Sequence, residues 1–328
     1  MRKTMNKKQI CNTLFWTILL LGCVGAYLSY HGKLEDAIQH VQNANILTLL
    51  LIPTICLMYY SAGRIWYPYL RKDGLKASTL SAIQYEINFV DTVLPFYNTQ
   101  GTNYALTRLE KLGIRTSKAK SLFKLRYAIS ISTKWIEIGI VMVALSINRT
   151  EYVFLMWLSV AVWILTATII LGCCLVMYAF YERACVLKWL RSKGEMGNIV
   201  WKKLNELFEM LMLAFSNKGA FGEAFAYGMS YSLMEVLPFW VIAWSMGHPE
   251  LLARIIIASG VAITIGVIIP TPMGIGGFDA VMILCLSNMG VDVALAAAVT
   301  IVTRTVVLAG TALTGLPFYH EGLRQINN

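Results

Sequence analysis

Residues 152–181 contain no charged side chain, and neither do residues 255–278. About 20 mostly apolar residues suffice to cross a bilayer as a helix, and core helices of soluble proteins seldom run that long without a charge. The rest of the chain agrees. Of its 328 residues, 57% are hydrophobic and only 14% charged, against about a quarter charged in soluble domains. A soluble enzyme needs more charge to cover its surface, and a disordered chain needs a lower apolar content. Both classes are excluded. The pattern is that of an all-α polytopic membrane protein. Spans are expected near 13–30, 46–61, 127–147, 152–180, 224–246, 252–270 and 293–316. With two broken or re-entrant segments, these seven spanning helices make one transmembrane domain over residues 1–328.

The formal net charge is +10, from 28 Lys and Arg against 18 Asp and Glu. On a soluble protein that excess points to nucleic acid. Here 21 of the 28 lie in the N-terminal tail and in stretches 62–80, 100–126 and 181–203, while the intervening loops carry Lys33, Arg149 and Arg254. Basic residues collect in cytoplasmic loops. The excess is therefore topological, no nucleic-acid partner is expected, and the N-terminus is expected in the cytoplasm. Arg324 alone does not decide the side of the C-terminus. Arg2, Lys3, Lys7 and Lys8 precede the first apolar stretch as in a signal peptide, but no A-x-A-like site closes it. An uncleaved first helix is expected.

Two segments do not fit as spans. Residues 78–98 hold Glu86, Asn88, Asp91 and Pro95 between two basic loops. Equal flanks require an even number of crossings, which a re-entrant hairpin or an interfacial helix provides. Residues 269–290 hold Pro270, Pro272, Gly274, Gly276 and Gly277, and the apolar run after Asp279 covers about half a membrane thickness. Broken backbone at membrane depth survives only where protein buries it or water reaches it, and transporters build binding sites from such half-helices. Residues 199–215 differ again. Apolar residues from Val200 to Phe215 recur at helical spacing, with Lys202, Lys203, Glu206 and Glu209 opposite. Such an amphipathic helix lies in the membrane interface or packs on the protein's own surface.

Familiar catalytic chemistry is missing. The seven cysteines form no C-x-x-C pair and fall mostly in spans, where free Cys behaves as a small hydrophobe. His31, His40, His248 and His320 form no cluster at metal-ligand spacing. There is no nucleophile elbow and no phosphate loop, and GIGGFD at 274–279 lacks the third glycine of a dinucleotide fingerprint. No cofactor, metal or catalytic residue set is expected.

The informative residues are charges inside apolar segments. Each costs about 2.5–3.5 kcal/mol at a helix centre on insertion scales. Arg304, Glu235, Lys134, Glu137 and Asp279 are of this kind, with Glu86 and Asp91 in the first broken segment. Lys134 and Glu137 are three apart and can pair on one helix face. Such a pair either holds helices together or serves a ligand. Arg304 beside a broken helix with free backbone N–H groups has the makings of an anion site. Its planar guanidinium suits phosphate, and the glycine run at 274–277 lets backbone approach a ligand.

The stretch 268–316 resembles the closing signature of the lysylphosphatidylglycerol synthase transmembrane family, whose members are also described as flippase-like. In that family a proline and glycine-rich turn is followed by an acid, a short helix, a glycine and an arginine within the last span. Pro272, Gly274, Gly276, Gly277, Asp279, Gly290 and Arg304 match in order; the family usually has Glu where Asp279 stands. Upstream, the family has an Asn, a Leu-Pro, a basic residue and a Gly followed by an acid. Asn88, Leu94, Pro95 and Gly101 fit, the basic residue is absent, and Thr102 stands in place of the acid.

The family includes the membrane half of the bacterial multiple peptide resistance factor, which is associated with moving aminoacylated phosphatidylglycerol between leaflets, while a separate soluble domain makes that lipid. The resemblance therefore implies a stand-alone flippase-like protein of the bacterial cytoplasmic membrane that translocates a phospholipid or polyprenyl-phosphate lipid. Arg304, Pro272, Gly274, Gly276 and Gly277 would hold phosphate, with Lys134, Asn88 and Pro95 also at the lipid site. Asp279, Glu235 and Glu137 would contact a cationic head group or shuttle protons. Three rival readings stand beside it: a membrane-embedded lipid transferase, a membrane subunit working with a soluble synthase partner, and an ion-coupled small-solute transporter. A homo-oligomer is compatible with each.

Overall fold

The computed structural model describes residues 51–93, 100–148, 194–268 and 276–327. Every regular element among the described residues is a helix. Those of more than one turn are, in chain order, α1 (Leu51–Arg64), α2 (Ala77–Val93), α3 (Gln100–Lys111), α4 (Thr116–Asn148), α5 (Gly194–Phe215), α6 (Lys218–Ser245), α7 (Leu252–Ile268), α8 (Gly277–Asn288) and α9 (Val293–Asn327). The expected spans at 13–30 and 152–180 lie outside the described residues. The helices α4 and α9 have 33 and 35 residues, which at 1.5 Å per residue is about 50 Å each. Within them Thr116–Leu145 and Val293–Ile326 are long and apolar enough to cross a membrane.

Ion pairs between segments define one end of the bundle. Lys118 meets Asp73 at 2.5 Å, Lys124 meets Glu206 at 2.5 Å, and Arg71 meets Glu223 at 3.1 Å. These join the starts of α4 and α6 to α5 and to the connection after α1. We call this the basic end. The helix α6 leaves it, and α9 returns to it, since Gln325 accepts a hydrogen bond from Arg108 at 3.0 Å. The C-terminus thus lies at the basic end, a point the loop charges left open.

Between these long helices sit two hairpins of opposite sense. The first is α2 with α3, starting after Lys76 and ending before Thr116, both at the basic end. Its arms are antiparallel, with Asp91 beside Gly101 and Glu86 beside Arg108. The second is α7 with α8. It starts where α6 ends and finishes where α9 begins, so it opens to the far end. Residues 252–268 and 277–288 are packed against each other as the two arms of this hairpin. The helix α8, with 12 residues, reaches only about 18 Å.

The same turn brackets both hairpins. Gly74 and Gly247 precede them with φ of 82° and 93°; Gly113 and Gly290 follow them with φ of 84° and 80°. After each closing glycine a buried residue returns its N–H five residues back: Ile114 to Leu109 at 2.9 Å, and Val291 to Leu286 at 3.1 Å. Only glycine adopts that backbone without strain. The order α1, hairpin, α4 is thus repeated with reversed sense as α6, hairpin, α9. Inverted repeats of this kind recur in membrane transporters.

Small residues let the helices approach. The backbone of α1 at Gly63 lies directly on that of α2: a Cβ there would stand 2.5 Å from Ser81 Cα and 2.7 Å from Leu80 O. Backbone atoms cannot rotate away, so Gly63→Val is expected to destabilise the protein by about 1–3 kcal/mol. Thermal unfolding in neutral detergent would show it, and an unchanged midpoint would refute this packing.

The amphipathic helix is present as α5. Met210, Leu211 and Ala214 are buried in the cluster that contains Leu122 and Phe123 of α4, while Met196, Ile199, Val200, Met212 and Phe215 are exposed. One edge packs on the protein, and a broad apolar face stays open.

Candidate functional site

A cavity of about 270 Å³ lies at the inner end of the first hairpin, and the second hairpin reaches it through Ile263. It is lined by Asn88 and Asp91 of α2, Thr102 of α3, Arg126, Ser130 and Lys134 of α4, Tyr231 and Glu235 of α6, and Ile263 of α7. The chain puts polarity there by simple spacing. Arg126, Ser130, Lys134 and Glu137 stand at i, i+4, i+8 and i+11, one stripe of a helix.

The stripe meets α6 at a three-charge cluster. Lys134 is 3% exposed and Glu137 4%. The Lys134 ammonium donates to the Ser232 carbonyl at 2.8 Å, and lies 3.4 Å from Glu235 Oε2 and 3.7 Å from Glu137 Oε2. Ser232 Oγ donates to Glu137 Oε2 at 2.6 Å, and the Tyr231 hydroxyl donates to Glu235 Oε1 at 3.2 Å. Glu137 Oε1 is buried with no hydrogen-bond partner. One cation thus serves two carboxylates. Glycines make the approach feasible: Gly228 of α6 lies against Ile129 and Thr133, and Gly260 of α7 against Ile138 and the Lys134 stem. A larger residue at either would push α4 away from its neighbours.

On the opposite wall Asp91 Oδ1 accepts from the Gly101 N–H at 2.8 Å, which caps α3 and closes the first hairpin. The Arg126 guanidinium lies 5.3 Å from the centre of the Trp66 ring and within electrostatic reach of Asp91. Arg126 Nε and Asn88 Nδ2 are buried donors without hydrogen-bond partners. Donors of that kind are rare in folded proteins unless a ligand or water meets them.

A second cluster sits where the second hairpin meets α9. Arg304 Nε lies 3.2 Å from Asp279 Oδ1, and the guanidinium lies 5.0 Å from the Phe278 ring centre. Asp279 Oδ2 accepts from the Gly276 N–H at 3.1 Å, capping α8. The carboxylate of Asp279 therefore occupies both the arginine and a helix-terminal N–H that the sequence offered to an anion. The first hairpin offers a looser parallel: Asp91 sits on a glycine N–H, and Arg126 of the following long helix lies within electrostatic reach of it and near the Trp66 ring. Tyr59 of α1 stands between the clusters. It is buried, shares a hydrogen bond with Thr311, and feels the charges of Glu235 and Arg304.

Of the residues expected at the site, Lys134, Glu137 and Glu235 come together, and Asn88 shares the cavity with Lys134 and Glu235. Arg304, Asp279, Gly276 and Gly277 gather at the second cluster, while Pro272, Gly274 and Pro95 lie outside the described residues. Arg126, Thr102 and Tyr231 join the cavity without having been expected there, and Asp91, singled out as a charge in the first broken segment, joins them. Arg126 was counted among the topological charges; its four-residue spacing to Ser130 and Lys134 was the signal that could have found it. Thr102, in place of the acid of the upstream motif, leaves Asp91 as the carboxylate on that wall. Glu86 is paired away from the cavity with Arg108 at 2.9 Å. Among the described residues no group of His, Cys, Asp or Glu could hold a metal ion.

A family model described as the lysylphosphatidylglycerol synthase TM region matches residues 14–315. No curated protein and no solved structure matches the chain.

Proposed function

Because the chain belongs to the lysylphosphatidylglycerol synthase transmembrane family, we propose that it binds the phosphate head group of a membrane lipid in the cavity between the hairpins and translocates that lipid across the bilayer. The observation that carries this reading is the cavity itself. It opens at the inner end of the first hairpin and meets the second at Ile263, and it holds Arg126, with an unpartnered buried donor, about two helical turns from Lys134. A guanidinium and an ammonium facing one space suit a phosphate, and sites at the meeting point of inverted repeats are where transporters bind their cargo. Asp91 and Glu235 give the same cavity a partner for any cationic part of the head group. Arg304, Asp279, Gly276 and Gly277 form the equivalent station on the second hairpin, where phosphate would compete with Asp279 for Arg304. The basic end faces the cytoplasm of a bacterial cell in this reading. There its lysines and arginines gather anionic lipid, each contributing about 1 kcal/mol near the surface.

The test is purified protein in liposomes, with a fluorescent lipid and a leaflet-selective quencher. Translocation above that of empty liposomes is expected for an anionic phospholipid, and equality with empty liposomes across several phospholipids and a polyprenyl phosphate would sink the reading. Arg126→Gln is expected to slow translocation about tenfold or more, the worth of one hydrogen bond to a charged group. A rate equal to that of the unaltered protein would remove Arg126 from the path.

A further inference from the structure

We propose that the cavity takes up one proton for each monoanionic head group it binds, and that the proton goes to the Glu137–Glu235 pair. This rests on the lipid-binding reading above and adds to it a coupling ion and the groups that carry it.

The argument is a charge count in a place where charge is costly. Lys134 is the cation within 4 Å of both carboxylates, at 3.4 Å from Glu235 and 3.7 Å from Glu137. With all three ionised the cluster would carry a net negative charge in a buried site. Two carboxylates that share one site retain a proton between them for this reason. The proton belongs to the pair, since strongly coupled groups titrate together. The empty cluster is then neutral: one ammonium, one carboxylate, one carboxylic acid.

The surroundings do not alter that balance. On α4 and α2, Arg126 lies within electrostatic reach of Asp91, so that wall brings one basic and one acidic group. From α6 the Tyr231 hydroxyl bonds Glu235, and from α1 Tyr59 lies near it; both are neutral phenols at ordinary pH. From α9, Arg304 is paired with Asp279. At the cavity α3 supplies Thr102 and α7 supplies Ile263, neither of which titrates.

Entry of a phosphate monoanion changes one thing. Its oxygens engage the cations of the cavity, Lys134 among them, and the remaining carboxylate of the pair loses its counter-ion. That carboxylate, RCOO⁻, takes H⁺ from cavity water and becomes RCOOH. Glu235 lines the cavity and its side chain is 27% exposed, so it gives the proton a route in, while Glu137 lies behind it at 4%. The loaded site holds the ammonium, the lipid anion and two carboxylic acids, and is again neutral. Lipid anion and proton therefore move together, and a pH gradient becomes a driving force for a lipid that carries no proton of its own.

The experiment is calorimetric titration of the detergent-solubilised protein with short-chain phosphatidylglycerol near neutral pH, in two buffers of different ionisation enthalpy. The difference between buffers reads the protons bound. Uptake of about one proton per phosphatidylglycerol is expected. Short-chain phosphatidylcholine, which brings no net charge, is expected to give none. Inorganic phosphate in a separate titration distinguishes recognition of the phosphate alone from recognition of the lipid. In Glu137→Gln/Glu235→Gln the number of protons taken up per phosphatidylglycerol bound is expected to fall to zero, whatever the affinity becomes, with size-exclusion chromatography confirming the fold. Binding without uptake by the unaltered protein overturns the inference and leaves the lipid-binding reading standing. Uptake that persists in the double variant overturns the assignment to this pair. No binding of phosphatidylglycerol overturns both. The unaltered protein decides the first and last outcomes even if the variant fails to fold.

Discussion

Lys134→Met is expected to destabilise the protein by about 3–5 kcal/mol, the usual penalty for removing one partner of a buried ion pair. The ammonium and its stem are 4% exposed, as is the Glu137 side chain. Removing the cation leaves the Glu137–Glu235 pair without its counter-ion, in a site with no described cation within 4 Å of both. The matched comparison is Lys134→Met/Glu137→Gln/Glu235→Gln. It removes the whole ionic cluster, and wholesale replacement of a buried ion group is often neutral or better. Most of the lost stability is therefore expected to return. Thermal unfolding of the three proteins in one detergent separates the outcomes. If the single variant unfolds with the unaltered protein, Lys134 is not the cation that holds this cluster. If the triple variant is as unstable as the single one, packing and not charge is responsible.

A second large effect is expected at the base of the first hairpin. Arg108 donates to Glu86 twice, at 2.9 and 3.3 Å, and to Gln325 of α9 at 3.0 Å. The Arg108 and Glu86 side chains are 4% and 2% exposed. Arg108→Ala leaves Glu86 buried and uncompensated, again about 3–5 kcal/mol. Here the loss should be local, because the pair joins the two arms of one hairpin to the end of α9. Hydrogen exchange is expected to quicken over 77–111 and the last turns of α9, while α7 and α8 keep their protection. Arg108→Lys keeps the charge without the planar fork and should recover only part of the loss. Exchange that rises evenly over the chain, or not at all, would refute the clasp.

Much of this architecture could be read before any coordinates, and the reasons are specific. The helices α4 and α9 announce themselves because long apolar runs have few alternatives in a bilayer. Lys134 and Glu137 could be paired because three residues is one helical turn. Asp279 and Arg304 could be ordered along the chain because the family motif spans both. What stayed hidden depends on chain reversals. Lys134 meets Glu235 only because α6 lies against α4, and no spacing rule reaches across separate helices. Arg126 was masked by its neighbours: in a stretch of seven basic residues, one that turns inward looks like the rest. The repeat was hidden as well, since its shared marks are single glycines with φ near +80° followed by a buried apolar residue, too few for the eye to align.

The reversed repeat bears on the two barriers of the proposed cycle. Each would be built from like parts, a hairpin braced by glycines with φ near +80° to +90°. With no energy source but the gradients, forward and backward fluxes balance under equal conditions on both sides, and like parts would give the two barriers comparable heights. In the proposed cycle, whether lipid accumulates outside or inside is then decided by the membrane's own stores, the lipid imbalance left by synthesis and the proton imbalance left by respiration. A cell could reverse the traffic without altering one residue.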